Sequence, residues 1–147
     1  MRAVVQKVKS ASVTILSSGE KRSIGPGLLV FLAIKPTDTL AEVHWFTNKI
    51  LNLRIFPDQN GKMNLSVQDI KGEILIISNF TLYGDISRGF RPNFMYSAEP
   101  NFANKIYCEF VDHIRKMTTL NIVTGEFREM MEVQLINDGP VTVILDR

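Results

Sequence analysis

Residues 27–34 read GLLVFLAI, an unbroken apolar run that opens on a glycine. A run this short is too brief for an ordinary buried helix and suits a buried strand. Residues 72–78, GEILIIS, read the same way. Before the first run, residues 2–16 alternate and cluster Val, Ile and Thr, and SSGEKR at 17–22 supplies a turn. The N-terminal third is therefore read as a strand, a turn and further strands.

Outward from these runs the period changes. TDTLAEVHWFTNKILNL, residues 37–53, sets Leu40, Val43, Phe46, Ile50 and Leu51 at helical spacing, with Thr37 or Asp38 available as N-cap. PNFANKIYCEFVDHIRKM, residues 100–117, places Ala103, Ile106, Tyr107, Phe110 and Ile114 on one stripe and a proline in the first turn. Two helices are predicted. Between them, Pro57, Asn60 and Gly61 mark a short hairpin or loop. The tail is read as a strand over MMEVQLI (130–136), a turn NDGP (137–140) and a last strand VTVILD (141–146). No repeat or linker interrupts the order strands, helix, strands, helix, strands, so one α+β domain over residues 1–147 is expected.

Composition narrows the class. The 147 residues are 45% hydrophobic, enough for one self-sufficient core, and the net charge of +2 permits an acidic partner without demanding one. The single cysteine, Cys108, cannot close an internal disulfide and fits a reducing compartment, so a cytoplasmic chain is expected. No stretch approaches the roughly 18 apolar residues of a membrane span, and no secretory leader is legible.

The usual catalytic constellations are missing. His44 and His113 both fall on predicted helices, and Cys108 lies about 140° around the helix from His113, which rules out a dyad within that helix. The histidines read as helix-surface or half-buried residues and Cys108 as a small core residue. HExxH, CxxC and Gly-rich phosphate loops are absent, and neither a metal site nor a cofactor is expected. Hydroxyls, amides and backbone groups remain around SNFTLYGD (78–85), at the exit of a rigid apolar strand. Strand ends are good platforms for sites, although Ser78 and Thr81 also suit a plain turn start.

Two motifs in order decide more. SNFTL at 78–82 resembles the SQxTL signature, and NDGPVT at 137–142 the NxGPxT signature, of the D-aminoacyl-tRNA deacylases. MRAVVQKV, IGPGLLV, NKILNLRIF, GKMNLS, GEILIIS, RPNF and VTGEF are similar to that family in the same order, over nearly the whole chain.

The resemblance implies a homodimer of small β-barrel-like subunits, each a mixed sheet flanked by two main helices, with the active site at the subunit interface. The implied substrate is the ester between a D-amino acid and the 3′-terminal adenosine of tRNA. Glycine mischarged on tRNA(Ala) is also removed and L-aminoacyl-tRNA spared, which is chiral proofreading. A cis Gly139-Pro140 peptide from one subunit would face the substrate's α-amino group in the other and exclude an L side chain. X-Pro is the one bond where cis is cheap, at about 0.5–1 kcal/mol.

By the same resemblance, backbone N–H groups around Asn79 and Phe80 polarise the ester carbonyl. The adenosine's 2′-hydroxyl activates water, Ser78 and Thr81 orient the strand end and the adenosine, and Met131 lies near the adenine pocket. Asn137 and Thr142 belong to the chirality motif. Asn79 stands where the family has Gln, and Lys7 where an Arg braces the Gly-Pro loop, which loses the planar fork. Arg88, Phe90, Arg91 and Phe94, in DISRGFRPNF, combine charge and aromatic faces as contacts for a single-stranded RNA end. The rival readings are a non-catalytic tRNA-end binding module and an esterase with Thr81 as nucleophile.

Overall fold

A computed structural model describes all residues from Met1 to Arg147. The two apolar runs form β3 (Gly27–Ala33) and β6 (Glu73–Ser78), which pair in parallel with Leu28 opposite Ile74 and Phe31 opposite Ile77. Both strands are covered on both faces, which explains why neither alternates with polar residues. Alternate side chains of one run feed two different cores. Leu28, Val30, Ile74 and Ile76 face Phe46, Phe110 and Ile114 from the helices, whereas Leu29, Leu75 and Ile77 join Val8, Val13 and Ile24 in a smaller cluster. The smaller cluster sits where the sheet curls on itself.

The sheet order is β2 (Lys21–Ile24), β1 (Arg2–Ile15), β3, β6, β7 (Ile122–Thr124), with β8 (Met131–Asp146) on the free side of β1. One edge of β1 carries β3 along residues 2–8 and β2 along residues 11–14. The other edge carries β8 from end to end. Antiparallel pairs around β1 and parallel pairs at β3, β6 and β7 make a mixed sheet that rolls into a nearly closed barrel. A small hairpin, β4 (Phe56–Pro57) and β5 (Met63–Leu65), holds the predicted Asn60-Gly61 turn. No helix is long and apolar enough to cross a membrane.

Helix α1 (Leu40–Asn52) is capped by Thr39, one residue beyond the expected Thr37 or Asp38. Glu42 decides this: its carboxylate accepts the Thr39 N–H at 2.8 Å while Thr39 Oγ1 accepts the Ala41 N–H at 3.2 Å, a capping box. Asp38 instead accepts the Met1 ammonium at 2.5 Å and the Lys35 N–H at 2.8 Å, out of contact with water. Val43, Phe46, Ile50 and Leu51 are buried as predicted, but Leu40, in the first turn, stays half exposed. Helix α2 (Pro100–Met117) buries Ile106, Tyr107, Phe110 and Ile114 of the expected stripe, leaves Ala103 half-buried, and packs on α1. There His44 and His113 stack with ring centroids 4.4 Å apart.

Two expectations are corrected here. Cys108 is exposed, because it follows Tyr107 by about 100° of helical turn and falls off the Ile106, Phe110, Ile114 stripe. NDGP is not a chain reversal. β8 runs straight through it, because β1 pairs with both flanks. Gln6 faces Thr142 and Val8 faces Asn137, so one residue of β1 spans four of β8, and Asp138–Val141 bulges out of the ladder.

Candidate active site

β6 ends at Ser78, opposite Leu32, and the Asn79 N–H extends the ladder to the Leu32 carbonyl at 2.8 Å. The chain then tightens into a 3-10 turn, Phe80–Tyr83. Asn79 caps it: its Oδ1 accepts the Thr81 N–H at 3.2 Å and the Thr81 hydroxyl at 2.5 Å. An Asx cap needs a short side chain, and this is the work that Asn79 does. Outside clamps hold the turn, as Arg2 donates to the Leu82 carbonyl at 2.9 Å and Ser97 Oγ to the Phe80 carbonyl at 2.9 Å.

This geometry sorts the backbone donors. The Asn79 N–H is already spent on Leu32, contrary to the expectation that it joins Phe80 in facing an ester. The Thr81 N–H is spent on the cap. Phe80 is the first residue of the turn, so its N–H has no acceptor within the helix. The Thr81 hydroxyl donates to an amide oxygen, which cannot serve as a base, so nothing here activates it as a nucleophile.

Beside the turn opens a mainly apolar cleft of about 780 Å³, a size usual for small-ligand sites. Ser78, Asn79 and Phe80 line one wall, Phe94 and Ala103 another, and Met131 a third. The Phe80 and Phe94 rings meet edge to face at 5.1 Å. Met131 is seated by Gly125, where an added Cβ would come within 2.6 Å of its sulfur. Its Sδ also accepts the Glu126 N–H at 3.3 Å. Thr81 lies just outside the lining. Arg128 and Glu129, which sequence reasoning missed, bring the only charges to the cleft. Nothing in GEFREM (125–130) singles them out from the neighbouring Glu126.

The NDGPVT residues gather elsewhere, at the β8 bulge. Gly139-Pro140 is cis, Gly139 has φ +123°, and both residues are exposed. The almost buried Lys7 reaches Asp138 at 2.9 Å, and its hydrogen bond holds the Asp138 carboxyl below the ordinary range. Asn137 Nδ2 donates to the Val141 carbonyl at 3.3 Å and closes the bulge. Gln6 Nε2 donates to Thr142 Oγ1 at 3.2 Å where pairing resumes. None of Lys7, Asn137, Gly139, Pro140 or Thr142 lines the cleft. Arg88, Phe90 and Arg91 ride on the exposed loop that leads to Phe94, and only Phe94 of that group enters the cleft.

An apolar cleft beside a capped strand end, with the Phe80 N–H unspent and Glu129 as its one carboxylate, suits an ester hydrolase whose substrate is already activated. The comparisons with known proteins define that class. A "D-aminoacyl-tRNA deacylase" of Prosthecochloris aestuarii is 53% identical over 99% of both chains. One of Thermosipho melanesiensis is also 53% identical, over 99% of this chain and 97% of its own. A solved structure described as "c-Myc DNA Unwinding Element Binding Protein" is 41% identical, with a TM-score of 0.93 over 100% of this chain and 99% of its own. The model of the D-Tyr-tRNA(Tyr) deacylase family matches residues 4–146, and the chain belongs to that family. It is thus an ester-hydrolysing enzyme of the aminoacyl-tRNA deacylase kind.

Proposed function

We propose that the chain hydrolyses the ester joining a D-amino acid, or glycine mischarged on tRNA(Ala), to the 3′-terminal adenosine of tRNA. It works as a cytoplasmic homodimer in which each subunit completes the other's cleft. The observation that carries this reading is the separation of the two motif clusters. Gly139 and Pro140 project from β8, whose outer edge is unpaired and bears exposed Leu135, Ile136 and Ile144, while the cleft lies apart from them. An exposed edge of this kind asks for a partner.

In the assembled site the Phe80 N–H polarises the ester carbonyl, Ser78 holds the strand end, and Met131 flanks the adenine. Asn79 and Thr81 maintain the turn. Water attacks the carbonyl carbon, assisted by the adenosine's 2′-hydroxyl, and the proton passes to the departing 3′-oxygen. The partner's Gly139 and Pro140 carbonyls accept from the α-ammonium and fill the space an L side chain needs. A wall at the α-carbon reads handedness and ignores side-chain identity. Lys7, Asn137 and Thr142 brace that wall.

The test has two parts. D-tyrosyl-tRNA and L-tyrosyl-tRNA are treated side by side with substoichiometric protein, and only the D ester is expected to disappear. Gly139→Ala and Phe80→Pro, each inactive alone, are then mixed under conditions of proven subunit exchange. About a quarter of wild-type activity should return, since half the dimers are hybrids with one intact site. Loss of both esters, or no recovery on mixing, overturns the shared chiral site.

A further inference from the structure

The loop between the 3-10 turn and α2 has a shape of its own. Asp85 and Asn93 exchange backbone hydrogen bonds of 2.7 and 2.9 Å, which pinch residues 86–92 into a finger. At its tip Gly89 has φ +80°, and an added Cβ there would meet nothing within 4 Å. Phe90, next to it, is 105% exposed, a large apolar surface left wholly in water. Arg88 and Arg91 flank it, both exposed and neither in an ion pair, and residues 86–94 contain no acid. The base of the finger is Phe94, which packs on Phe80 inside the cleft.

The cleft lining also includes Arg128. It is one of two non-glycine residues at positive φ, +66°, it is exposed, and it forms no ion pair. Glycine would hold that backbone at lower steric cost, yet an arginine stands there with its side chain open to solvent.

We propose that Arg88, Phe90 and Arg91 on the finger, together with Arg128 at the cleft, grip the single-stranded nucleotides that precede the terminal adenosine. Rested on the function proposed above, this extends the substrate site from the nucleoside to the RNA strand. Guanidinium groups take phosphates, and an exposed aromatic face between them takes a base, the combination that single-stranded nucleic acid requires. A second copy of the chain fits the finger less well, because a two-fold contact through its tip would set arginines against arginines.

The experiment measures binding of an RNA minihelix with a four-nucleotide single-stranded 3′ end, and of the same minihelix made blunt, across a potassium chloride series. Wild type should prefer the overhang. The Arg88→Gln/Arg91→Gln pair should weaken overhang binding and flatten the log K against log salt slope by about 1.4, roughly 0.7 per lost phosphate contact. Phe90→Ser should weaken it by ten-fold or so at unchanged slope. Arg128→Gly should lose affinity while its melting temperature holds or rises, which a structural arginine would not do. Lys116→Gln, at the far end of α2, should change nothing. kcat/KM on the D-tyrosyl ester of adenosine alone should survive in the two finger variants and in Lys116→Gln.

Equal losses on the short ester and the minihelix would mean that the loops only shape the cleft, and the proposal falls. It falls equally if Phe90→Ser dissociates the protein in light scattering, or if overhang binding is unchanged. Inertness of wild type toward D-tyrosyl-tRNA would instead sink the proposed function, while the minihelix titration still decides the finger.

Discussion

Replacing Gly139 by alanine tests the bulge most sharply. At φ +123° an L side chain is in a region open essentially to glycine alone, and the new Cβ would stand 2.6 Å from Val141 Cγ2 and 3.0 Å from the Val141 nitrogen. Backbone strain of this kind costs about 1–3 kcal/mol. At roughly 2–4 °C per kcal/mol for a chain of this size, melting should fall by about 2–12 °C and the fold should survive. Survival is expected because the bulge lies outside the β1–β8 ladder, which resumes at Gln6 and Thr142. Activity should suffer far more. A wall displaced by about 1 Å can cost 10²-fold in rate, so kcat/KM for D-tyrosyl-tRNA should drop by about that factor at 25 °C, where the variant is still folded. The assay is release of labelled amino acid, with circular dichroism on the same samples. Wild-type turnover of the D ester with L esters still spared would refute the argument, because the strain could not then have moved anything that reads chirality.

Further outcomes follow from other sites. Phe80→Pro keeps a residue suited to the first helical position but removes its N–H, so kcat should fall by about 10²–10³ with binding of uncharged tRNA retained. Asp38→Ala removes the buried carboxylate paired with the Met1 ammonium and should destabilise by about 3–5 kcal/mol in urea titration. Phe110→Ala, from the centre of the larger core, should cost a similar 3–5 kcal/mol. Burial, then His44 and Lys116, lower the His113 pKa below its ordinary 6.5. The unfolded chain therefore takes up that proton first, so His113's contribution to stability is complete above pH 6.5 and fades as pH falls below it. Melting should decline from pH 7 to 5, and His113→Asn should flatten that decline.

Much of the fold was legible in the chain because burial writes itself as a period. The unbroken runs of β3 and β6 mark strands covered on both faces, the α2 stripe gives both the helix and its buried side, and Pro100 marks its start. Of the two motifs only SNFTL reaches the cleft, which gathers Ser78, Asn79, Phe80, Phe94 and Met131 from three regions of sequence. What escaped was the assignment of individual polar groups. Whether the Asn79 N–H is free depends on Leu32, some 47 positions earlier, and whether Thr81 can react depends on where the Asn79 amide turns. Arg128 gave no local sign of its left-handed backbone or its place at the cleft.

The sequence by itself determined which segments are strands and helices and which faces they bury, because these are local patterns of apolar spacing, caps and glycines. Only the tertiary structure decided what NDGP becomes. Its residues have the local preference for a reversal, yet β1 offers backbone partners on both sides of them, and a ladder of hydrogen bonds outweighs the preference of four residues. The same long-range pairing turned a turn signal into the exposed Gly139-Pro140 bulge at an unpaired sheet edge. It also put Lys7, from the other end of the chain, against Asp138.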